Sequence, residues 1–473
     1  MSLQRLAPCR QQLVSKNLAE FGASADTLNW ISTAGAIAAE IERGKRLKAI
    51  GQHLDLAFKG TKPHIGPLSP GCRICGEGGW SCLFVNGKCN CRCFYCPSFQ
   101  NEIGVPTTNR IPFARPADFA AYADHFGFTG ISISGGEPLL TPALTLRFLQ
   151  TVGQYKKRPL HLWMYTNGTL LTADLVKKLH DAGLDEIRFD LSAVDYDLKK
   201  VRLAVGHIPT VTVEIPAIPE DYQRLTELLP QMKETGVDHL NLHQLRLTPY
   251  NQDQLEKRQY TFLHGEKVTV LESELAALAL MQNVVDQCIG LPVNYCTFVF
   301  QHRFQRAAAR RKSAQLMARP HESITESGYI RSLCLVGNPE TLSRMADQLT
   351  KKGVDGQLWT IGSRKDRLYF HIALWEQMVP DDGLNMAVGY SEASLCPHIS
   401  YHRTFKEVRV NQEKKLFVEK QPVSAEILLD HEQQMRFQSM VHNPDSQAIQ
   451  SSPCSVDRFE DYELIHPGLQ DYY

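Results

Sequence analysis

The chain has 473 residues, 43% of them hydrophobic and 9% aromatic, and its 51 basic and 51 acidic side chains leave a formal net charge of zero. That length buries a large core and suggests two or three domains, while the balanced charge excludes a global field that would draw nucleic acid or an anionic membrane; a polyanion would need a local basic patch. No run of about twenty apolar residues occurs, and no apolar stretch of signal-peptide length follows Met1, so a cytoplasmic protein without a membrane span is expected.

Residues 1–60 read as helices, with apolar positions at helical spacing from Leu28 onward and charges alternating from Glu40 to Lys48 on a solvated face. The proline- and glycine-punctuated stretch 62–70 reads as a connector, so 1–66 forms a helical N-terminal arm. Next come seven of the thirteen cysteines within residues 72–96. Cys89, Cys93 and Cys96 are separated by three and then two residues, so a short loop can turn three thiolates toward one point. An iron–sulfur cluster that only carries electrons normally takes four thiolates, and three leave one iron open to a substrate. The alternative for such a run is a zinc knuckle. Cys72-x-x-Cys75 has a chelate spacing of its own. Cys91, lying between two cluster ligands, is expected to face away from them toward Cys72 and Cys75. With Cys82 these would close a four-thiolate site for one mononuclear iron or zinc, free buried thiols being the alternative.

Leu83 to Val85 supplies a first strand. A buried strand over 128–134 then ends in Gly135-Gly136-Glu137-Pro138, where glycines permit close approach of backbone to a ligand. Strands follow at 161–169 with Asn167 in a Thr-Asn-Gly turn, at 186–192 with Asp190 and Ser192 at its end, at 211–216 with Glu214, and at 240–245 with His243. Helical spacing over 172–182 and 221–235 separates them. Repeated strand–helix units argue for a parallel sheet with right-handed crossovers over a core of residues 67–255. A helical extension, 256–325, carries Cys296 and a stripe of Arg303, Arg306 and Arg310. The stripe reads either as a grip on an anion or as a solvated face. Residues 326–473 read as a small α+β domain: strands at 330–336, 357–361 and 367–374, a helix at 339–352, a hairpin at 407–423, and a polar tail from 436 without signal. Cys334, Cys396 and Cys454 are scattered through it.

The Cys89-x-x-x-Cys93-x-x-Cys96 loop, with Tyr95 before the last cysteine and Gly135-Gly136-Glu137-Pro138 some forty residues on, resembles the radical S-adenosylmethionine (SAM) superfamily. The resemblance implies an α/β fold, a partial (β/α)6 barrel, with functional residues at the C-terminal ends of the strands. It implies a [4Fe–4S] cluster on Cys89, Cys93 and Cys96 whose open iron takes SAM. Gly135, Gly136 and Glu137 would hold the SAM amino group, and Asp190 and Ser192 its ribose. Asn167 is a further cofactor-binding candidate on the same rim, although Asn-Gly is also a common turn former. A one-electron reductant such as flavodoxin or ferredoxin would start the reaction, and a 5′-deoxyadenosyl radical would attack a C–H bond. No individual catalytic residue is assigned.

The cysteine arrangement and C-terminal domain also resemble, in layout, the cobalamin-dependent radical SAM arginine C-methyltransferases of methanogens. This implies methyl transfer to a protein or peptide side chain with a cobalamin in the C-terminal region, yet no Asp-x-His-x-x-Gly signature is present. Activation of a partner glycyl-radical enzyme would need only the barrel and its cluster. The reading outside enzymology is a zinc-stabilised non-catalytic scaffold, against which the intact cysteine loop and glycine-rich strand end both argue.

Overall fold

The computed structural model describes residues 7–155, 159–378, 380, 383–442 and 459–472; much of the expected tail, Cys454 included, lies outside the described residues. Two compact units are present, Met1–Gln305 with Pro467–Tyr473, and Arg306–His466.

The first unit is built on an 11-stranded sheet. Its centre is a parallel run in chain order: β2 (Trp80–Asn86), β3 (Gly130–Gly135), β4 (His161–Thr166), β5 (Glu186–Phe189), β6 (Thr210–Pro216), β7 (His239–His243) and β8 (Val293–Cys296). Each strand alternates, which decides what the sheet does with its two faces. One face carries Leu83, Ile131, Ile133, Leu162, Met164, Ile187, Val213 and Leu242, all buried, and is the side-chain set the crossover helices cover. The opposite face carries the polar set: Ser132, Tyr165, Arg188, Glu214, Asn241, His243 and Cys296. Helix ends between strands are set locally. Thr172 Oγ1 accepts from Leu175 N at the start of Ala173–Asp181, and Gly236, at φ 97°, ends Tyr222–Thr235 in the left-handed region that glycine tolerates.

The α/β class and parallel partial barrel are as the sequence suggested, with two corrections. Stretch 62–70 is not only a connector: β1 (Lys62–Ile65) pairs antiparallel with β8, and Leu54–Leu56 pairs with β1, so part of the expected helical arm extends the sheet edge. Within the expected helical extension, β8 adds a strand beyond the six counted from sequence. Its four residues are too short for periodicity to separate strand from helix. The compact units accordingly meet at Gln305/Arg306 rather than at 255/256 and 325/326. A π-turn over Gln301–Gln305 also breaks the arginine stripe: Arg303 donates to the carbonyls of Pro467 and Gly468, whereas Arg310 donates to Ser327 O.

The second unit holds an antiparallel sheet. The strand Ile330–Val336, helix Pro339–Lys351, strand Arg367–Phe370 and hairpin strands Thr404–Arg409 and Lys415–Pro422 fall close to expectation. The strand Asn385–Cys396, unassigned from sequence, is central to it and pairs with Ile330–Val336, Lys415–Pro422 and Ile427–Leu429. Its small and polar residues, Gly389 among them, dilute the apolar alternation that marks a strand.

Candidate active site

The loop after β2 lies over the C-terminal end of the sheet, and backbone contacts explain its course. Glu137 N donates to Lys88 O, Gly136 N to Asn86 O, and Cys89 N to Gln100 O. A Cβ on Gly135 would stand 2.0 Å from Asn86 O, and one on Gly136 2.0 Å from Lys88 O. Only glycine lets the end of β3 lie this close to the residues entering the cysteine loop.

Glu137, 1% exposed, faces inward. Its Oε1 accepts from Leu139 N at 2.9 Å and Thr166 Oγ1 at 2.8 Å, and its Oε2 from Asn167 N at 2.7 Å. The acid thus ties the end of β3 to the end of β4.

The carboxylate thereby positions Asn167, whose Nδ2 donates to Asn90 Oδ1 at 2.8 Å and reaches Cys91 Sγ at 3.3 Å. Asn90 Nδ2 in turn donates to Thr169 Oγ1 at 2.7 Å. Asp190 and Ser192, at the end of β5, hold the loop through Tyr95. Tyr95 Oη donates to Asp190 Oδ2 at 2.9 Å and lies 2.7 Å from Ser192 Oγ. Asn251 Nδ2 donates to Tyr95 O, and Thr248 Oγ1 to Pro97 O. Asn90, Thr248 and Asn251 were not singled out from sequence, because their partners lie 77 to 156 residues away and no local spacing marks them.

Among the described residues no three His, Cys, Asp or Glu side chains close on one point as a metal site, Cys89, Cys93 and Cys96 included. The chemistry of the donor set nevertheless fits a cationic group. Burial pushes Cys91 up to about 11 and Cys93 up to about 12, and raises Cys96. Burial also raises the carboxyls of Glu137 and Asp190. These groups raise one another further, and positive charge among them is what would let the thiols ionise.

The four-cysteine site expected from sequence is not assembled. Strand parity turns Cys82 to the polar face, beside Ser132 of the neighbouring strand. Cys91 rides with the loop beside Asn167. Cys72 and Cys75 lie on the helix Pro70–Gly76, near Cys296 instead.

Beneath the loop, the polar face is held by ion pairs. Arg188 contacts Glu186 Oε1 at 2.8 Å and Glu214 Oε2 at 2.6 Å, and His243 Nε2 lies 2.7 Å from Glu214 Oε1. Burial alone would raise both acids. The Arg188 guanidinium outweighs it, holding Glu186 down to about 2 and Glu214 well below the carboxylate range.

Residues 83–215 match the Radical SAM superfamily. A Methanocaldococcus jannaschii protein provisionally named a glycyl-radical enzyme activating enzyme is 28% identical over 315 residues, 63% of this chain and 82% of its own length. The tungsten-containing aldehyde ferredoxin oxidoreductase cofactor-modifying protein of Pyrococcus furiosus is 30% identical over 192 residues, 35% of this chain and 52% of its own length. Among solved structures, coproporphyrinogen III oxidase of Escherichia coli, a radical SAM enzyme, aligns over 50% of this chain and 58% of its own at 12% identity and a TM-score of 0.30. The three-cysteine loop, the diglycine strand end on which it rests and the match spanning both place this chain in the radical SAM superfamily.

Proposed function

We propose that this radical SAM enzyme is an activating enzyme, which takes a hydrogen atom from a glycine of a partner protein and leaves the radical there. The observation that carries this reading is the similarity to the M. jannaschii protein, which runs over 315 residues and so extends well beyond the segment 83–215. That similarity favours activation over methyl transfer, the other branch open from sequence, and activation needs no cobalamin.

In this reading Cys89, Cys93 and Cys96 hold a [4Fe–4S] cluster, and the backbone of Gly135 and Gly136 orients SAM. When bound, the cluster and SAM supply a 5′-deoxyadenosyl radical after one electron from a reductant such as flavodoxin or ferredoxin. The chain's own part is position. Tyr95, fastened to Asp190 and Ser192, fixes the loop laterally, and Asn167 fixes it from the adjoining strand end. The buried ion pairs around Arg188 keep the floor beneath rigid, so a glycine backbone entering the mouth meets a preorganised surface.

The test is anaerobic reconstitution with iron and sulfide, followed by SAM and a reductant. Release of 5′-deoxyadenosine is expected, with a glycyl radical doublet by electron paramagnetic resonance when a co-encoded glycyl-radical enzyme is added. Cleavage without a radical on any such partner would count against activation. Zinc uptake with no cleavage would instead support the scaffold.

A further inference from the structure

Lys62 is a long cation in an unusual place. It opens β1, is 1% exposed, and lies with its ammonium 4.4 Å from the Phe300 ring centroid. Among the described residues no carboxylate pairs with it; the groups acting on it are three thiols, those of Cys296, Cys72 and Cys75. The pairing of β1 with β8 accounts for one: Ile65 opposes Val293 and His64 opposes Asn294, and two residues further that register brings Lys62 to Cys296. Cys72 and Cys75 supply the others, three residues apart on one helix face.

Each sulfur also meets a side-chain amide donor. Gln305 Nε2 lies 2.6 Å from Cys75 Sγ, Gln301 Nε2 3.8 Å from Cys296 Sγ, and Asn294 Nδ2 3.9 Å from Cys72 Sγ. Amide N–H groups turned toward sulfur suit thiolates better than thiols. Asn294, 3% exposed, is left with its Oδ1 buried and unpartnered. A buried ammonium without an acid, three sulfurs served by donors, and an orphaned carbonyl oxygen together require something the side chains alone do not provide.

We propose that Cys72, Cys75 and Cys296 bind one divalent thiophilic cation, such as zinc or ferrous iron, with Lys62 as counter-charge. Three thiolates and one divalent ion sum to a single negative charge, which the ammonium cancels, so the buried assembly is neutral. Three protein ligands leave a fourth position open. As placed, the three thiols stand apart, as Cys89, Cys93 and Cys96 also do, and loading would draw them together. This site is independent of the activation reading and uses none of the cluster-loop cysteines.

Cobalt(II) is the probe, added anaerobically to full-length protein in which Cys89, Cys93 and Cys96 are all alanine. A single cobalt with intense sulfur-to-cobalt charge-transfer absorption is expected. Adding Cys296→Ser should remove that absorption, and adding Lys62→Met should weaken the affinity by roughly 10–100-fold. No uptake, equal uptake in the Cys296→Ser protein, or a disulfide among the three thiols would overturn the proposal. Should Cys296→Ser fail to fold by circular dichroism, an unchanged affinity in Lys62→Met would overturn it equally.

Discussion

Replacing Tyr95 by Phe removes a hydroxyl that reaches both Asp190 and Ser192 while leaving every cysteine in place. A hydrogen bond to a charged group contributes about 1.5–3 kcal/mol, so the reconstituted variant should hold less iron per chain and melt earlier. Wild-type iron content would show that the loop is fixed by its backbone contacts alone. Gly136→Ala is a harder change, because the atoms its Cβ would meet, Lys88 O, Lys88 C and Cys89 N, are all backbone. It should fold yet lose most of its iron, as seen in the absorbance of the reconstituted protein. Cys93→Ala should abolish 5′-deoxyadenosine release, and persistence at the wild-type rate would remove Cys93 from the ligand set. The three-cysteine spacing was legible because it is local. The inward role of Glu137 was not, since its acceptors are engaged by residues of another strand end.

At the scale of the strand, Arg188 joins β5 to β6 through two buried acids. Arg188→Met would take the shared guanidinium from Glu186 and Glu214, leaving His161 beside the one and His243 beside the other, at a cost of up to about 3–5 kcal/mol by chemical denaturation. The same pairing has a pH signature. Glu186 is held near 2, below its unfolded value of about 4.5, so the unfolded state binds more protons between those limits. Its stabilisation is full above about pH 4.5 and is lost as pH falls toward 2, a slope that acid titration of unfolding should show in the wild type and lose in Glu186→Gln. Strand parity could be read from the alternation in β3 to β7, which placed Glu214 and His243 at one rim. The four residues of β8 and the diluted pattern of Asn385–Cys396 could not, because short or small-residue strands carry little periodic signal.

Across the whole molecule, the chain leaves its first unit after Gln305 and returns to it at Pro467. The return is structural: Arg43 Nη1 donates to Gln470 O at 2.6 Å, its guanidinium stacks on Tyr472, and Tyr472 hydroxyl bonds Glu274. Deleting residues 467–473 should lower the melting temperature of the first unit and spare the second, which differential scanning calorimetry would resolve as one shifted transition. Among the described residues, no helix is long and apolar enough to cross a membrane. The sequence by itself determined what depends on neighbours along the chain: the cluster-type cysteine spacing, the diglycine strand end, and the succession of strands and helices that makes a parallel sheet. Only the tertiary structure decided which cysteines meet. Cys82 and Cys91 part from Cys72 and Cys75 because strand parity and loop height send them to different places, and Cys296 joins that pair because β8 ends opposite Lys62. Spacing limits what one loop can reach, but the pairing of distant strands sets the company that a buried side chain keeps.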